Sequence, residues 1–234
     1  MKKFIILPTY NEAENLPKLV KTIFNLQIPD LNIIVVDDNS PDGTGQIADR
    51  LAKEFSLIVI HRQGKQGLGS ACITGFKKAL ELGAEIVCQM DADFSHNPQD
   101  LPSLLEQIDK GYDFVIGSRR VAGGNIKGWS RYRNIQSILA MSFSRAMLGL
   151  KTRDITAGYR CLKAAILKDI DFQTIKSNGY AFQEELIYLA EKKGYKIAEV
   201  PVTFIDRKFG KSKLGVKDVI EFFITVFRLR FIKS

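Results

Sequence analysis

Short apolar runs alternate with longer amphipathic segments through the first half of the chain. Runs rich in β-branched residues predict strands over 4–7, 32–36, 57–60, 85–90 and 114–116. Apolar residues at helical spacing predict helices over 12–24, 45–55, 70–82 and 98–110. Because this alternation is typical of parallel strands joined by helices, we predict an α/β fold with a mostly parallel sheet and helices on both faces.

The second half is less regular but still periodic. It predicts a helix over 134–148, a strand over 159–162, a helix over 182–193 and a strand over 197–204. From about 216 to 232 the apolar residues are spaced as on one wide helical face, and this predicts an amphipathic C-terminal helix. Because no repeat, low-complexity tract or linker is visible, we predict a single domain over 1–234.

The pattern also bears on location. Residues 1–7 carry two lysines before an apolar run, but Pro8, Asn11 and Glu12 end that run well short of a signal peptide. No window reaches the roughly 18 uncharged apolar residues that a spanning helix needs. We expect a chain without a signal peptide or a membrane-spanning helix, located in the cytoplasm.

Cysteine usage agrees with a reducing compartment. Cys72, Cys88 and Cys161 are odd in number, far apart and without a C-x-x-C pair. This spacing argues against a disulfide framework and against a zinc site. We therefore expect three unpaired cysteines, buried as small apolar residues.

The net charge of +8 is concentrated in two segments. Residues 119–133 and 207–217 together hold ten lysines and arginines and no acidic residue, which exceeds the whole net excess. Cations confined to two Gly-containing segments indicate an anionic ligand or surface more than a uniformly solvated exterior.

Polar residues follow every predicted strand of the first half, at 8–12, 37–40, 64–69, 91–93 and 117–120. The carboxyl ends of parallel strands share one edge of the sheet, where ligands bind. Polar loops without a common role would be expected at both edges. The sequence therefore predicts one site built from all of these segments.

Asp91 and Asp93 are the strongest candidates for chemistry in that site. Two carboxylates two residues apart after an apolar strand can bind a hard cation whose remaining ligands are water and phosphate oxygens. Taken alone, such a pair is more often a solvated turn, and its position at a strand end is what favours the metal role. We interpret His96 as a turn residue that caps the helix starting at Pro98.

Asp38, Tyr10 and Glu12 are candidates for contacts with a nucleoside. A strand-end carboxylate accepts hydrogen bonds from hydroxyl and amine groups, and an aromatic ring can stack on a base. Capping or first-turn charge is the competing role for Glu12, and a Pro-Asp-Gly turn at 41–43 competes for Asp37 and Asp38. The glycines of 64–69 match neither G-x-G-x-x-G nor a P-loop, which disfavours hydride transfer and P-loop hydrolysis.

Read together, these segments resemble the inverting glycosyltransferase family 2 and, within it, the dolichyl- or polyprenyl-phosphate mannosyltransferases. They cover residues 8 to about 217 in the family's order. The matching segments are PTYNE at 8–12, VVDDNSPDGT at 35–44, GKQGLGSA at 64–71, DADFSHNP at 91–98, GSR at 117–119 and RKFGKSKL at 207–214.

The resemblance implies a GT-A fold, GDP-mannose as donor, Mg²⁺ or Mn²⁺ as metal, and a polyprenyl or dolichyl phosphate as acceptor. The residues that it implies around guanosine are Pro8, Tyr10, Glu12, Val36 and Asp38. At the diphosphate and metal it implies Asp91, Ala92 and Asp93. At phosphate-contacting positions it implies Arg119, Arg207 and Lys213, and the catalytic residues are then Asp91, Asp93 and Arg207.

The sequence departs from the family pattern at two places. Ser95 stands where relatives have Gln as a metal ligand, so a hydroxyl or a water would complete the metal site. Many relatives continue into transmembrane helices, whereas this chain stops at Ser234. We therefore expect peripheral binding to the cytoplasmic face of a membrane, and a membrane-embedded partner subunit is the hypothesis that this early stop motivates.

Two other interpretations remain open at this stage. A UDP-glucose:polyprenyl-phosphate glucosyltransferase, or another family 2 enzyme, would share nearly all these motifs. The pI of about 9.3 also suits a non-catalytic nucleic-acid-binding protein. That interpretation leaves the strand-end motifs without a role, and we expect no nucleic-acid partner.

Overall fold

The computed structural model describes residues 1–179, 181–206 and 216–231 of the chain. Its strands are β1 Lys3–Thr9, β2 Leu31–Asp37, β3 Leu57–His61, β4 Ile86–Gln89, β5 Phe114–Ser118, β6 Asn125–Lys127, β7 Arg160–Lys163, β8 Ile197–Pro201 and β9 Thr203–Ile205. Its helices are α1 Leu16–Phe24, α2 Thr44–Leu51, α3 Leu68–Glu81, α4 Leu101–Asp109, α5 Arg131–Leu148, α6 Ala164–Asp169, α7 Ala181–Lys192 and α8 Val216–Phe231, with a 3₁₀ turn at Pro98–Asp100 before α4.

The main sheet has the strand order β3-β2-β1-β4-β7-β5-β8. Strands β1 to β4 run parallel to one another, and β5 and β8 are parallel to each other. Strand β7 lies antiparallel between β4 and β5. The predicted α/β class with a mostly parallel sheet is confirmed, and β7 is the one reversed strand among the described strands of this sheet.

Two apolar cores cover the two faces of the sheet. Alternate residues of a strand point to opposite faces, so Ile6 and Val36 join the core under α3 and α7, while Ile5 and Val35 join the core under α1 and α4. Burial on both faces explains why the strands read as continuous apolar runs. Helix α3 packs so closely that a Cβ on its Gly75 would clash with Ile6.

The second half differs from the predicted elements at three places. The strand predicted over 197–204 is two strands, because the chain leaves the main sheet after Pro201 and continues as β9 beside β6. Proline lacks the N–H that a continuing ladder needs, and it is typical of strand edges. Strand β6 and helix α6 are too short to give a periodic signal.

The expectation of three unpaired cysteines is wrong for two of them. Cys88 and Cys161 are register partners on β4 and β7, with their Cα atoms 4.0 Å apart, and they form a disulfide. Cys72 is free and buried. The sequence could not reveal this pair, because it depends on the reversed strand that brings residues 73 positions apart face to face.

Candidate functional site

A cavity of about 350 Å³ opens at the carboxyl ends of the parallel strands. Seven of the residues proposed from the sequence line it: Pro8, Tyr10, Glu12, Asp38, Asp91, Ala92 and Asp93. The wall is completed by residues that sequence reasoning had not assigned: Thr9, Lys65, Gly67, Leu68, Ala71, Asn178, Gly179 and Glu221. The prediction that separate strand-end motifs meet at one edge is therefore confirmed for the segments that begin at Pro8, Asp38 and Asp91 and for the glycine-containing loop 64–69.

A larger depression of about 520 Å³ lies at the opposite edge, where the strands begin. Its acidic residues Asp30 and Glu85 face the N-terminal ammonium group of Met1 at 3.7 and 3.9 Å. Ligands of parallel sheets bind at the carboxyl edge, and none of the strand-end motifs reaches this depression. We therefore place the functional site in the smaller cavity.

The turn after β4 holds the two acidic side chains of the cavity. Ala92 between them is buried, and Phe94 has a φ of 60°, so the chain turns sharply directly after Asp93. The N–H of Ser95 donates to Asp93 Oδ1 at 3.0 Å. The N–H of Asp91 donates to His96 Nδ1 at 3.0 Å. These bonds fix the backbone on which both carboxylates are mounted.

His96 stabilises this turn by accepting the hydrogen bond from the Asp91 N–H. The prediction that His96 caps the next helix is wrong. Asn97 is the cap, since its side chain accepts a hydrogen bond from the Gln99 N–H at 3.2 Å. The His96 ring is buried and stacks on Tyr159 with centroids 5.1 Å apart. Burial lowers the pKa of His96 against the opposing pull of Asp91 and Asp93, which keeps Nδ1 available as an acceptor.

Asp91 and Asp93 fit a divalent cation of the Mg²⁺ or Mn²⁺ type. Such ions prefer oxygen ligands and are often held by one or two carboxylates, with phosphate and water in the other positions. Within the described residues, no group of three or more His, Cys, Asp or Glu side chains is arranged to hold a metal. Ser95 is buried and is absent from the cavity wall, so its role as third ligand stays a prediction without support from the geometry.

Asp38 lies at the cavity wall in a buried ion pair. Arg62 Nη1 contacts Asp38 Oδ1 at 2.8 Å, and the Gln66 N–H donates to Oδ2 at 3.3 Å. Burial raises the pKa of Asp38, and Arg62 opposes that rise. Its neighbour Asp37 has a structural role, because it accepts hydrogen bonds from the N–H and hydroxyl group of Ser40.

An aromatic ring and a cation of the cavity wall contact each other. Lys65 Nζ lies 4.9 Å from the centroid of the Tyr10 ring. Glu12 accepts a hydrogen bond from the side chain of Asn15 at 2.9 Å. Val36 is fully buried in the core and is absent from the cavity wall, so its predicted contact with a ligand can involve only its backbone.

Arg119 does not line the cavity, and its side chain is bound by the buried carboxylate of Asp154. Its Nε and Nη2 donate to the two oxygens of Asp154 at 2.8 and 2.6 Å. Burial lowers the pKa of Arg119, but the Asp154 carboxylate more than reverses this effect. Its predicted phosphate contact stays a prediction, and the same is true of Arg207 and Lys213, which lie outside the described residues.

Other cations of the first basic segment lie at the start of α5. Arg120 donates to Asn134 Oδ1 at 2.6 Å and to Ser137 Oγ at 3.1 Å. Arg133 pairs with Asp206 at 3.0 Å. Both cations are thus positioned by polar neighbours rather than dispersed in solvent.

The chain is similar to curated enzymes along nearly all of its length. It is 44% identical over 229 residues to an undecaprenyl-phosphate mannosyltransferase of Micrococcus luteus, covering 97% of this chain and 93% of that protein. It is 43% identical over 222 residues to a polyprenol monophosphomannose synthase of Mycolicibacterium smegmatis, covering 94% and 83% of the two chains.

Solved structures give the same fold, and a family model matches most of the chain. The glucosyl-3-phosphoglycerate synthase of Mycobacterium tuberculosis, in complex with Mn²⁺, UDP and glucosyl-3-phosphoglycerate, superposes with a TM-score of 0.72 at 18% identity. The match covers 100% of this chain and 81% of that one, which identifies the fold as GT-A. The model for glycosyl transferase family 2 matches residues 4–171, and the chain therefore belongs to this family of glycosyltransferases.

Proposed function

We propose that the protein transfers mannose from GDP-mannose to a polyprenyl or dolichyl phosphate, with inversion at the anomeric carbon. The observation that carries the proposal is the cavity in which Asp91 and Asp93 share a wall with Asp38, Tyr10 and Glu12. One part of this wall suits a diphosphate with its metal, and the other suits a nucleoside. The relatives named for undecaprenyl phosphate and polyprenol monophosphomannose support the acceptor class and the sugar.

The proposed chemistry depends on positioning and charge rather than on a general base. A phosphate acceptor is already anionic near neutral pH, so it can attack the anomeric carbon without losing a proton to the enzyme. A divalent ion held by Asp91 and Asp93 would supply neutralising charge for the departing nucleoside diphosphate. We assign the remaining charge stabilisation to Arg207 and Lys213, as the resemblance implies.

Tyr10 and Lys65 support a nucleoside beside that diphosphate. The Lys65 cation lies over the Tyr10 ring, so this part of the cavity wall presents an aromatic ring and a positive charge together. Asp38, held by Arg62, offers carboxylate oxygens to hydroxyl or amine groups. Since this geometry does not distinguish guanine from uracil, UDP-glucose is the alternative donor to be tested.

An exposed apolar surface on α5 and α8 supports binding to a membrane. We call it the α5–α8 ridge, and its members are Tyr132, Ile135, Ile138, Leu139, Phe143, Ile220, Phe223, Ile224, Phe227 and Phe231. Their exposed fractions range from 36% to 73%, and Phe143 joins the two helices by ring contacts with Phe223 and Phe227. Continuous exposed apolar area of this kind marks interaction surfaces.

We propose that the α5–α8 ridge enters the cytoplasmic face of the membrane that holds the lipid acceptor. Exposed Arg131 and Arg230 lie on the same two helices and would meet anionic headgroups. None of the helices in the described part of the chain is long and apolar enough to cross a bilayer. A membrane-embedded partner subunit stays a hypothesis. Such a subunit and the membrane would compete for the same α5–α8 ridge.

The donor and the acceptor are tested in one assay. The purified protein is incubated with polyprenyl phosphate, Mg²⁺ or Mn²⁺, and either GDP-mannose or UDP-glucose, and the lipid is analysed by mass spectrometry. We expect mannosyl phosphate lipid from GDP-mannose alone. Glucosyl lipid would replace the assigned donor, and absence of any glycosyl lipid with either metal would refute the assigned reaction.

Membrane binding is tested separately by flotation with vesicles that contain anionic lipid. We expect the protein to float, and a Leu139→Glu, Ile224→Glu variant to remain in the dense fraction. Tyr112→Glu is the matched control, because Tyr112 is also an exposed apolar residue but lies outside the ridge. Equal flotation of the ridge variant and the control would contradict the assignment.

Salt-sensitive RNA binding that survives Asp93→Ala would instead support the nucleic-acid interpretation, which we do not expect.

A further inference from the structure

Residues 177–179 connect two parts of the cavity that are remote in sequence. Asn178 and Gly179 belong to the cavity wall, together with Gly67 of the loop 64–69 and Glu221 of α8. No strand ends here, and the segment precedes helix α7. Its contacts indicate what it does for the site.

Asn178 caps the N-terminus of helix α3, although it is remote from that helix in sequence. The cap position of α3 is Gly67, which has no side chain to accept a hydrogen bond. Asn178 supplies the missing acceptors: its carbonyl oxygen accepts from the Gly69 N–H at 2.8 Å, and its Oδ1 accepts from the Ser70 N–H at 2.9 Å. The first turn of α3 is therefore satisfied by a residue 108 positions away from Ser70.

The same side chain also holds the loop 64–69. Asn178 Nδ2 donates to the backbone carbonyl of Gln66 at 2.6 Å. The contact is so close that a Cβ on Gly67 would lie 2.8 Å from the Asn178 side chain. Gly67 also has a φ of 99°, so two independent constraints require glycine beside Asn178.

Glu221 holds Asn178 in turn and ties it to helix α8. Its Oε1 accepts from the N–H groups of Asn178 at 2.6 Å and of Gly179 at 3.2 Å. About two turns further along α8, Arg228 contacts Glu185 Oε2 at 2.7 Å, and this oxygen also accepts the Ser177 N–H at 3.1 Å. The segment is thus bound to α8 directly through Glu221 and indirectly, from Ser177, through Glu185 of α7.

The loop that Asn178 holds carries Lys65, which lines the cavity, and Gln66, which holds the cavity-lining Asp38. Lys65 lies over the Tyr10 ring, and the Gln66 N–H donates to Asp38. If the loop moved, the Lys65 cation would leave the ring and Asp38 would lose a donor. The consequence would be a weaker nucleotide site, even though Asn178 need not touch the nucleotide.

We propose that Asn178 and Glu221 are positioning residues of the nucleotide cavity: Asn178 holds the loop 64–69 in its binding shape, and Glu221 fixes Asn178 to α8. The inference rests on the proposed function, since it assumes that this cavity takes a nucleoside diphosphate. It also makes α8, a helix of the α5–α8 ridge, part of the support of the donor site.

The test compares four variants in the full-length protein. Asn178→Ala removes the Oδ1 and Nδ2 contacts, Glu221→Ala removes the acceptor on α8, and Glu221→Gln keeps an oxygen at the same place. Asn32→Ala is the matched control, because Asn32 also bonds the backbone, at 3.2 Å from Asp30 and 3.4 Å from Lys3, but at the opposite edge of the sheet. Kd for GDP with Mg²⁺ is measured by calorimetry, KM and kcat by lipid product formation, and Tm by thermal unfolding.

We expect Asn178→Ala to raise Kd for GDP and KM for the donor by about tenfold, with kcat changed less than about threefold, because the loop must be ordered anew on each binding event. Glu221→Ala should give a smaller rise in the same direction, and Glu221→Gln should restore most of the lost affinity. Asn32→Ala should leave Kd for GDP unchanged, whatever its effect on Tm.

Unchanged nucleotide affinity in Asn178→Ala, or equal effects of Glu221→Gln and Glu221→Ala, would overturn the proposal. An equal loss of affinity in Asn32→Ala would also overturn it, because general destabilisation would then explain the result. A wrong donor assignment can be distinguished from a wrong positioning role. In that case the wild-type protein would bind UDP and not GDP, and the same four variants would then be compared with UDP.

Discussion

Replacing Glu184 by glutamine is expected to remove a strong dependence of stability on pH. Glu184 lies on α7 with no exposed surface, and its Oε1 contacts the hydroxyl of Ser144 on α5. Burial, with a further contribution from the adjacent Glu185, raises the pKa of Glu184 to about 8. The carboxyl group is therefore protonated in the folded protein at neutral pH.

The direction of the effect follows from which state binds the proton. Below the ordinary pKa of 4.5 both folded and unfolded chains hold it, and the contribution of Glu184 to folding is complete. Between 4.5 and about 8 the unfolded chain releases the proton while the folded chain keeps it, so stability falls as pH rises. The slope is about 1.4 kcal/mol per pH unit, which amounts to about 3 kcal/mol between about pH 5 and about pH 7.5.

Glutamine keeps an acceptor oxygen for Ser144 and has no proton to lose. As the pH rises from about 5 to about 7.5, we expect the free energy of unfolding of Glu184→Gln, measured in urea, to increase by about 3 kcal/mol relative to that of the wild type. This change corresponds to roughly 6–12 °C in Tm. Glu106→Gln is the control, since Glu106 is exposed on α4 and pairs with Lys110. Parallel pH curves for Glu184→Gln and wild type would show that Glu184 is not held protonated.

Asp93→Asn should lower turnover by about 100-fold or more with little change in Tm, because it removes metal-binding charge but keeps an acceptor for the Ser95 N–H; full activity would refute the metal role. Asp154→Ala should cost about 3–5 kcal/mol in urea unfolding, because it leaves the buried Arg119 cation uncompensated; a cost as small as that of a surface ion pair would contradict this. Alkylation of the denatured, unreduced protein should label Cys72 alone by mass spectrometry, and three labelled cysteines would exclude the disulfide.

The parallel half of the fold and one side of the site could be predicted from the sequence. Continuous apolar strands, amphipathic helices and polar residues at strand ends are local signals, and they placed Tyr10, Asp38, Asp91 and Asp93 at one edge. Parallel topology then brings such residues together without further information.

The other side of the site could not be predicted, because its contacts depend on tertiary packing. Asn178 and Glu221 follow no strand, and nothing local indicates that an asparagine caps a helix 108 residues away. His96 gives the same lesson on a shorter scale, since its acceptor role toward Asp91 depends on the ring being buried against Tyr159. The spacing of residues in the sequence indicates which of them could take part in the site. Tertiary packing determines which of them come into contact.

The reversed strand β7 changes where functional residues should be sought. In a parallel sheet only the loops that leave the strands reach the ligand edge, but a strand running the opposite way presents its incoming loop there. The segment before β7 carries Asp154, which positions Arg119, and Gly158, whose Cβ position would lie 3.7 Å from Asp91 Oδ1. A single inverted strand thus adds a loop to the ligand edge without adding a strand end. Substitutions in residues 154–158 would therefore change the site while leaving every parallel unit of the sheet intact.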